Sequence, residues 1–211
     1  MCRLLYIRSE NEFNMSEQLE KFAHISKISK EYQGHGWGYA WLENNKWKYY
    51  KNINPIWEDD FSNFGYSRLL IAHARSAFKN KDIVVENNMP FYDDNFVFIF
   101  NGELRKVKIK SEGRIGAEKI FNFIKRFYKN DMLSALQKGR SIISKRTEYI
   151  RAMNIIIANK DKAFVSSQFS EDPDYFTLQY KIENGITTIC SQKLDDSDNW
   201  KSLANNFIGV L

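Results

Sequence analysis

Met1-Cys2-Arg3-Leu4-Leu5, continued by Tyr6-Ile7-Arg8, places a cysteine directly after the initiator methionine and ahead of a short apolar run suited to a buried strand. Cysteine has a small side chain, so aminopeptidase trimming of Met1 is expected to expose its α-amine. Residue 2 then carries a nucleophile and a base together. The amine, with an ordinary pKa of about 7.7–8.0, is neutral often enough near pH 7 to take the thiol proton. The thiolate is the attacking species, and its pairing with a terminal amine is a route to covalent catalysis. Position alone does not separate this from a small apolar residue.

Outward from that strand, residues Ser16 to Tyr32 follow helical spacing, with Ser16 as N-cap and Leu19, Phe22, Ala23 and Ile28 on one face. Gln33-Gly34-His35-Gly36-Trp37-Gly38 breaks the helix and leads into Tyr39–Leu42. An Asn44-Asn45 turn returns Trp47–Tyr50 antiparallel to it. Leu69–Ala77 and Phe96–Phe100 read as buried strands, the second stopped by Asn101-Gly102. Gly116 to Tyr128 and Asp131 to Ser144 read as amphipathic helices, and the remainder as strands over Ala152–Ala158, Ala163–Gln168, Phe176–Ile182 and Ile186–Ser191. Helices grouped rather than alternating with strands predict an α+β fold, two antiparallel sheets sandwiched by helices.

Amide hydrolysis through a thiolate needs donors for the oxyanion of the tetrahedral intermediate. The Asn101 side chain and the Gly102 backbone N–H are candidates, although Asn-Gly is also a common turn after a strand. Arg75, in His73-Ala74-Arg75, offers a planar fork for a carboxylate or an ordinary ion pair. His73 lies in an apolar stretch and reads as a hydrogen-bonded core histidine.

Cys2-Arg3-Leu4-Leu5, Gly36-Trp37-Gly38, His73-Ala74-Arg75, Asn87-Asn88-Met89-Pro90-Phe91 and Phe100-Asn101-Gly102 occur in an order and spacing that resembles the class II glutamine amidotransferases. The chain looks most like small standalone members, among them the family of the ergothioneine-pathway γ-glutamyl hydrolases; Cys190-Ser191 and Trp200 resemble that group's tail. The resemblance implies a four-layer αββα sandwich, the N-terminal-nucleophile hydrolase fold, as one domain over residues 1–211. It implies Cys2 as nucleophile, Asn101 and Gly102 as oxyanion hole, Arg75 as holder of the substrate carboxylate, and Pro90 and Phe91 as pocket wall beside Arg75. The implied reaction turns a γ-glutamyl amide into glutamate plus ammonia or an amine. Two positions depart from the pattern. Met89 stands where a histidine is usual. Gly116 stands where an acidic residue ordinarily receives the substrate's α-ammonium, with Glu118 two residues on.

The composition fits a folded globule, with 43% hydrophobic and 15% aromatic residues. The net charge of +5 comes from scattered residues without a basic block, so nucleic acid is not the expected partner. Cys2 and Cys190 are far apart, which indicates neither a zinc site nor a disulfide framework. No cofactor is implied. No apolar run reaches the ~18 residues of a membrane span, and no signal peptide precedes Cys2, so the expected location is cytoplasmic. The expected partner is a small molecule, glutamine or a γ-glutamyl amide. A glutaminase of this class feeds ammonia to a synthase subunit in trans; a free-standing hydrolase needs none. A non-catalytic binding or regulatory protein retaining the fold is the competing class.

Overall fold

The apolar run after Cys2 becomes β1 (Arg3–Asn14), the strand on which the larger sheet is built. The computed structural model describes residues 1–211. In chain order there follow α1 (Met15–Lys27), β2 (Trp37–Glu43), β3 (Lys46–Asn52), β4 (Tyr66–Ala74), β5 (Phe91–Tyr92) and β6 (Val97–Val107). Next come α2 (Gly116–Lys125), α3 (Met132–Lys145), β7 (Thr147–Ala158), β8 (Ala163–Ser166), α4 (Pro173–Phe176), β9 (Gln179–Glu183), β10 (Ile186–Cys190), β11 (Lys201–Ser202) and β12 (Ile208–Val210). The strands form a seven-stranded sheet, β11-β9-β10-β1-β4-β2-β3, and a five-stranded sheet, β12-β8-β7-β6-β5. The named pairings are antiparallel.

The period-2 alternation of a strand sorts β1 and β4 between two layers. Leu4, Tyr6, Leu69 and Ile71 join one buried cluster with Val97 and Ile99 of the second sheet. Leu5, Ile7, Leu70 and Ala72 join another with Leu19, Phe22 and Ile25 of α1. Phe98, of opposite parity to Val97 and Ile99, stacks on Phe121 of α2 at 4.9 Å. The order is therefore α1, large sheet, small sheet, then α2 with α3. This is the αββα sandwich expected from the sequence.

Several local expectations change. The N-cap of α1 is Asn14, not Ser16: Asn14 Oδ1 accepts from the N–H groups of Ser16 (2.9 Å) and Glu17 (3.4 Å). The Ser16 hydroxyl instead donates to the Phe61 carbonyl. The helix ends at Lys27, short of Tyr32. The strand expected over Leu69–Ala77 begins earlier and ends at Ala74. Asn101-Gly102 does not stop β6: Asn101 pairs with Asn154 and Gly102 with Met153, and the strand continues to Val107. The long partner β7 outweighs the local turn preference of Asn-Gly. The C-terminal third is not all strand, since Pro173 at the first helical turn starts α4.

Replacing the cap, Asn14→Ala, leaves the first amides of α1 without an acceptor and is expected to cost about 1 kcal/mol of stability, read as a lower urea midpoint at unchanged m-value.

Candidate active site

Cys2 has the parity of Leu4 and Tyr6, which places it on the inner face of the large sheet, where it is buried. Both neighbours of β1 fix its position. β4 brings Ala74 opposite Arg3, and the end of β10 hands Ser191 to Leu4 through two hydrogen bonds, Ser191 N–H to Leu4 O (3.0 Å) and Leu4 N–H to Ser191 Oγ (2.9 Å). Arg3, itself buried, bonds Ser29 Oγ (3.1 Å) and Gln192 Oε1 (3.2 Å) and lies over the Tyr175 ring at 4.3 Å. The Ser76 N–H donates to the Cys2 sulfur at 3.5 Å. Burial raises the thiol pKa; the nearby terminal amine, the Ser76 amide and Arg75 oppose it.

Asn101 faces this region from the small sheet. It shares the parity of Val97 and Ile99, is fully buried, and neither its amide nitrogen nor its oxygen has a hydrogen-bond partner. A buried carboxamide without partners costs about 1–3 kcal/mol, so it calls for an explanation. The Phe100 carbonyl lies beside His73, and His73 pairs with Leu4, so the Asn101 end of β6 lies across from the Cys2 end of β1. Gly102 is held to glycine by a close approach. A Cβ there would sit 2.2 Å from the Ala152 carbonyl oxygen and 2.5 Å from the Phe100 ring. Met153 N–H bonds Gln168 O, away from β6, so Asn154 and Asn101 form the bonded pair of the ladder. The Gly102 N–H then points away from β7, toward the edge that β5 no longer covers, because β5 pairs only as far as Phe98.

Arg75 is buried and grips the 82–88 segment: Nη2 donates to Asp82 O (2.8 Å), and Nη1 to Asn88 Oδ1 (3.3 Å) and Val84 O (3.5 Å). Of its five N–H groups, Nε–H and one on Nη2 have no partner, which suits side-on contact with a carboxylate. Pro90 is buried beyond Met89. Phe91 lines a cleft of about 310 Å³ with Lys51, Glu86, Tyr92, Arg114, Glu118 and Phe121. Gly116, at the start of α2, has open space where a side chain would project. Glu118 is engaged by Arg114, which bonds it through its backbone N–H and guanidinium (2.6 Å for each of the shortest contacts).

The sequence reading missed Lys51 of β3, which pairs with Gly38 of β2 and lies over Phe91 at 5.3 Å, its pKa pushed down to about 8 by burial and by Arg114. The alternation of the β2–β3 hairpin was the signal that would have found it. His73 is in the core as expected, with the Phe100 carbonyl beside its ring. Burial, with Arg75 second, holds its pKa down to about 3.

No protein-family model matches this chain, and no curated protein matches it in sequence. Solved structures do match it. One is glutamine phosphoribosylpyrophosphate amidotransferase from B. subtilis, complexed with ADP and GMP: 16% identity, TM-score 0.64, covering 90% of this chain and 42% of that one. A predicted glutamine amidotransferase from Pseudomonas aeruginosa has 15% identity and a TM-score of 0.62, with 99% and 96% covered. A glutamine aminotransferase class-II domain protein from Silicibacter pomeroyi has 13% identity and a TM-score of 0.63, with 97% and 92% covered. The chain thus spans less than half of the B. subtilis enzyme. At these identities the likeness is one of fold, an αββα sandwich. No helix is long and apolar enough to cross a membrane.

The His73 imidazole sets a pH dependence of stability. Its folded pKa lies below the unfolded value of 6.5, so the unfolded state binds the extra proton between the two. Stability is expected to be unaffected by this group above pH 6.5 and to fall, by up to on the order of 4 kcal/mol, toward pH 3. Urea midpoints measured from pH 7 to 4 should decline less steeply in His73→Leu than in the unaltered protein.

Proposed function

We propose that this chain is an amidohydrolase that cleaves glutamine or a γ-glutamyl amide through a Cys2 thioester, releasing glutamate with ammonia or an amine. The observation that carries the proposal is the buried, unpartnered Asn101 amide opposite the Cys2 end of β1. Core packing gives no reason to keep such a group, whereas an oxyanion that exists only during reaction does. Once Met1 is removed, the Cys2 α-amine takes the thiol proton and the sulfur attacks the γ-carbonyl carbon. The oxyanion is held by Asn101 Nδ2–H and Gly102 N–H. Its collapse breaks the C–N bond, and the Cys2 ammonium returns the proton to the leaving amine. Water then cleaves the thioester, yielding glutamate and the free thiol. Arg75 holds the substrate α-carboxylate through its unpaired N–H groups. The likeness to the small standalone γ-glutamyl hydrolases belongs to this reading; a glutaminase role would add a synthase subunit in trans.

Intact mass before and after treatment with diazo-oxo-norleucine is the direct test. The expected result is a chain lacking Met1 that gains one adduct, absent from Cys2→Ala; a retained Met1 or an unlabelled Cys2 overturns the reading. Asn101→Ala is expected to lower kcat by about 10²–10³-fold with little change in KM. Gly116→Asp, which fills open space, is expected to lower KM for glutamine by supplying a carboxylate to its α-ammonium.

A further inference from the structure

The residue that must leave, Met1, is recognised at three points. Its ammonium is ion-paired with Glu31, which Arg151 also holds at 3.0 Å. Its carbonyl oxygen accepts from the Gln33 side-chain amide and from the Tyr175 hydroxyl (2.8 Å). Its side chain packs against the cluster of Ala152, Tyr175 and Phe176. These partners come from distant parts of the chain and are tied to one another, with Gln33 Nε2 donating to Tyr175 Oη at 3.1 Å.

The carboxylates around this seat outnumber the side-chain cations paired with them. Glu31, Glu103, Glu171 and Asp172 surround Arg151, and the remaining cations of the network are Lys30 on Asp172 and Arg105 on Glu103. Four carboxylates thus face three side-chain cations, and the Met1 ammonium is the fourth. With Met1 seated, burial raises the Glu31 pKa, but the bond and charge of the terminal amine and of Arg151 outweigh it and lower the pKa.

We propose that the seat vacated by Met1 is the subsite for the amine leaving group of the substrate, and that it takes an aminoacyl-like amine bearing a cationic nitrogen and an oxygen acceptor. The inference rests on the Cys2 reading above. The seat starts at the Cys2 nitrogen, the same atom that returns the proton to the departing amine. A leaving group protonated there extends into the space where the Met1 carbonyl and α-carbon stood. Its cationic nitrogen pairs with Glu31, and its oxygen accepts from Tyr175 and Gln33. The substrate class is therefore γ-glutamyl amides of cationic amines rather than free glutamine.

The test uses the full chain with Met1 loss verified by mass. By calorimetry, L-methioninamide is expected to bind at least tenfold more tightly than its N-acetyl form, which lacks the cation. Glu31→Gln is expected to abolish that difference, and Tyr175→Phe, which keeps the ring beneath Arg3, to weaken both by several-fold. In turnover, γ-glutamyl 2-aminoethylamide is expected to exceed γ-glutamyl ethylamide at least tenfold in kcat/KM, a preference lost in Glu31→Gln. Equal binding of the two methioninamides, or a cation preference that survives Glu31→Gln, overturns the subsite while labelling by diazo-oxo-norleucine still upholds the Cys2 reading. A retained Met1 overturns both.

Discussion

A strand hydrogen-bonded on both edges has no freedom to choose where its first residue lies. β1 is such a strand, with β4 on one side and β10 on the other, and Cys2 is one peptide before it. The register that sets Leu5 against both Ala72 and Cys190 thereby fixes the sulfur between the two sheets. Arg3 reinforces this from outside the ladder, clamped by Ser29, Gln192 and the Tyr175 ring. The accuracy of the site follows from sheet pairing, the most cooperative part of the molecule, rather than from a loop.

The facing sheet supplies the complement by the same means. β6 runs through Asn101 and Gly102 because β7 offers it a partner along its whole length. The ladder alternation, not a turn, aims the glycine amide. Parity puts Asn101 inward and the Gly102 α-hydrogen against the Ala152 carbonyl, where no larger residue fits. Two regular strands, offset by one residue in what they present, create an irregular chemical environment. Around it the charges are cationic on the Cys2 side, from Arg75, and anionic beyond Met1, from the carboxylates about Arg151.

Much of this architecture was legible in the chain. The apolar run after Cys2, the amphipathic period of α2 and the grouped helices carried the sandwich, because burial on one face leaves a period in the sequence. Local rules failed where distant pairing or competing side chains decided. Ser16 has capping chemistry but is used by Phe61, and Asn14 caps instead. Asn101-Gly102 reads as a turn until β7 is known to lie beside it. The Met1 seat draws on residues 31, 33, 151 and 175, and no local pattern joins them.

The layer between the sheets contains polarity that the chain leaves unpaired, the Asn101 carboxamide. An apolar residue of similar volume at position 101 would pack there without that penalty. Under the proposed reaction, heat resistance and turnover therefore pull on this position in opposite directions. A population of this protein bred only for survival at high temperature would drift toward leucine at residue 101, and its most robust members would be inert sandwiches of the same shape.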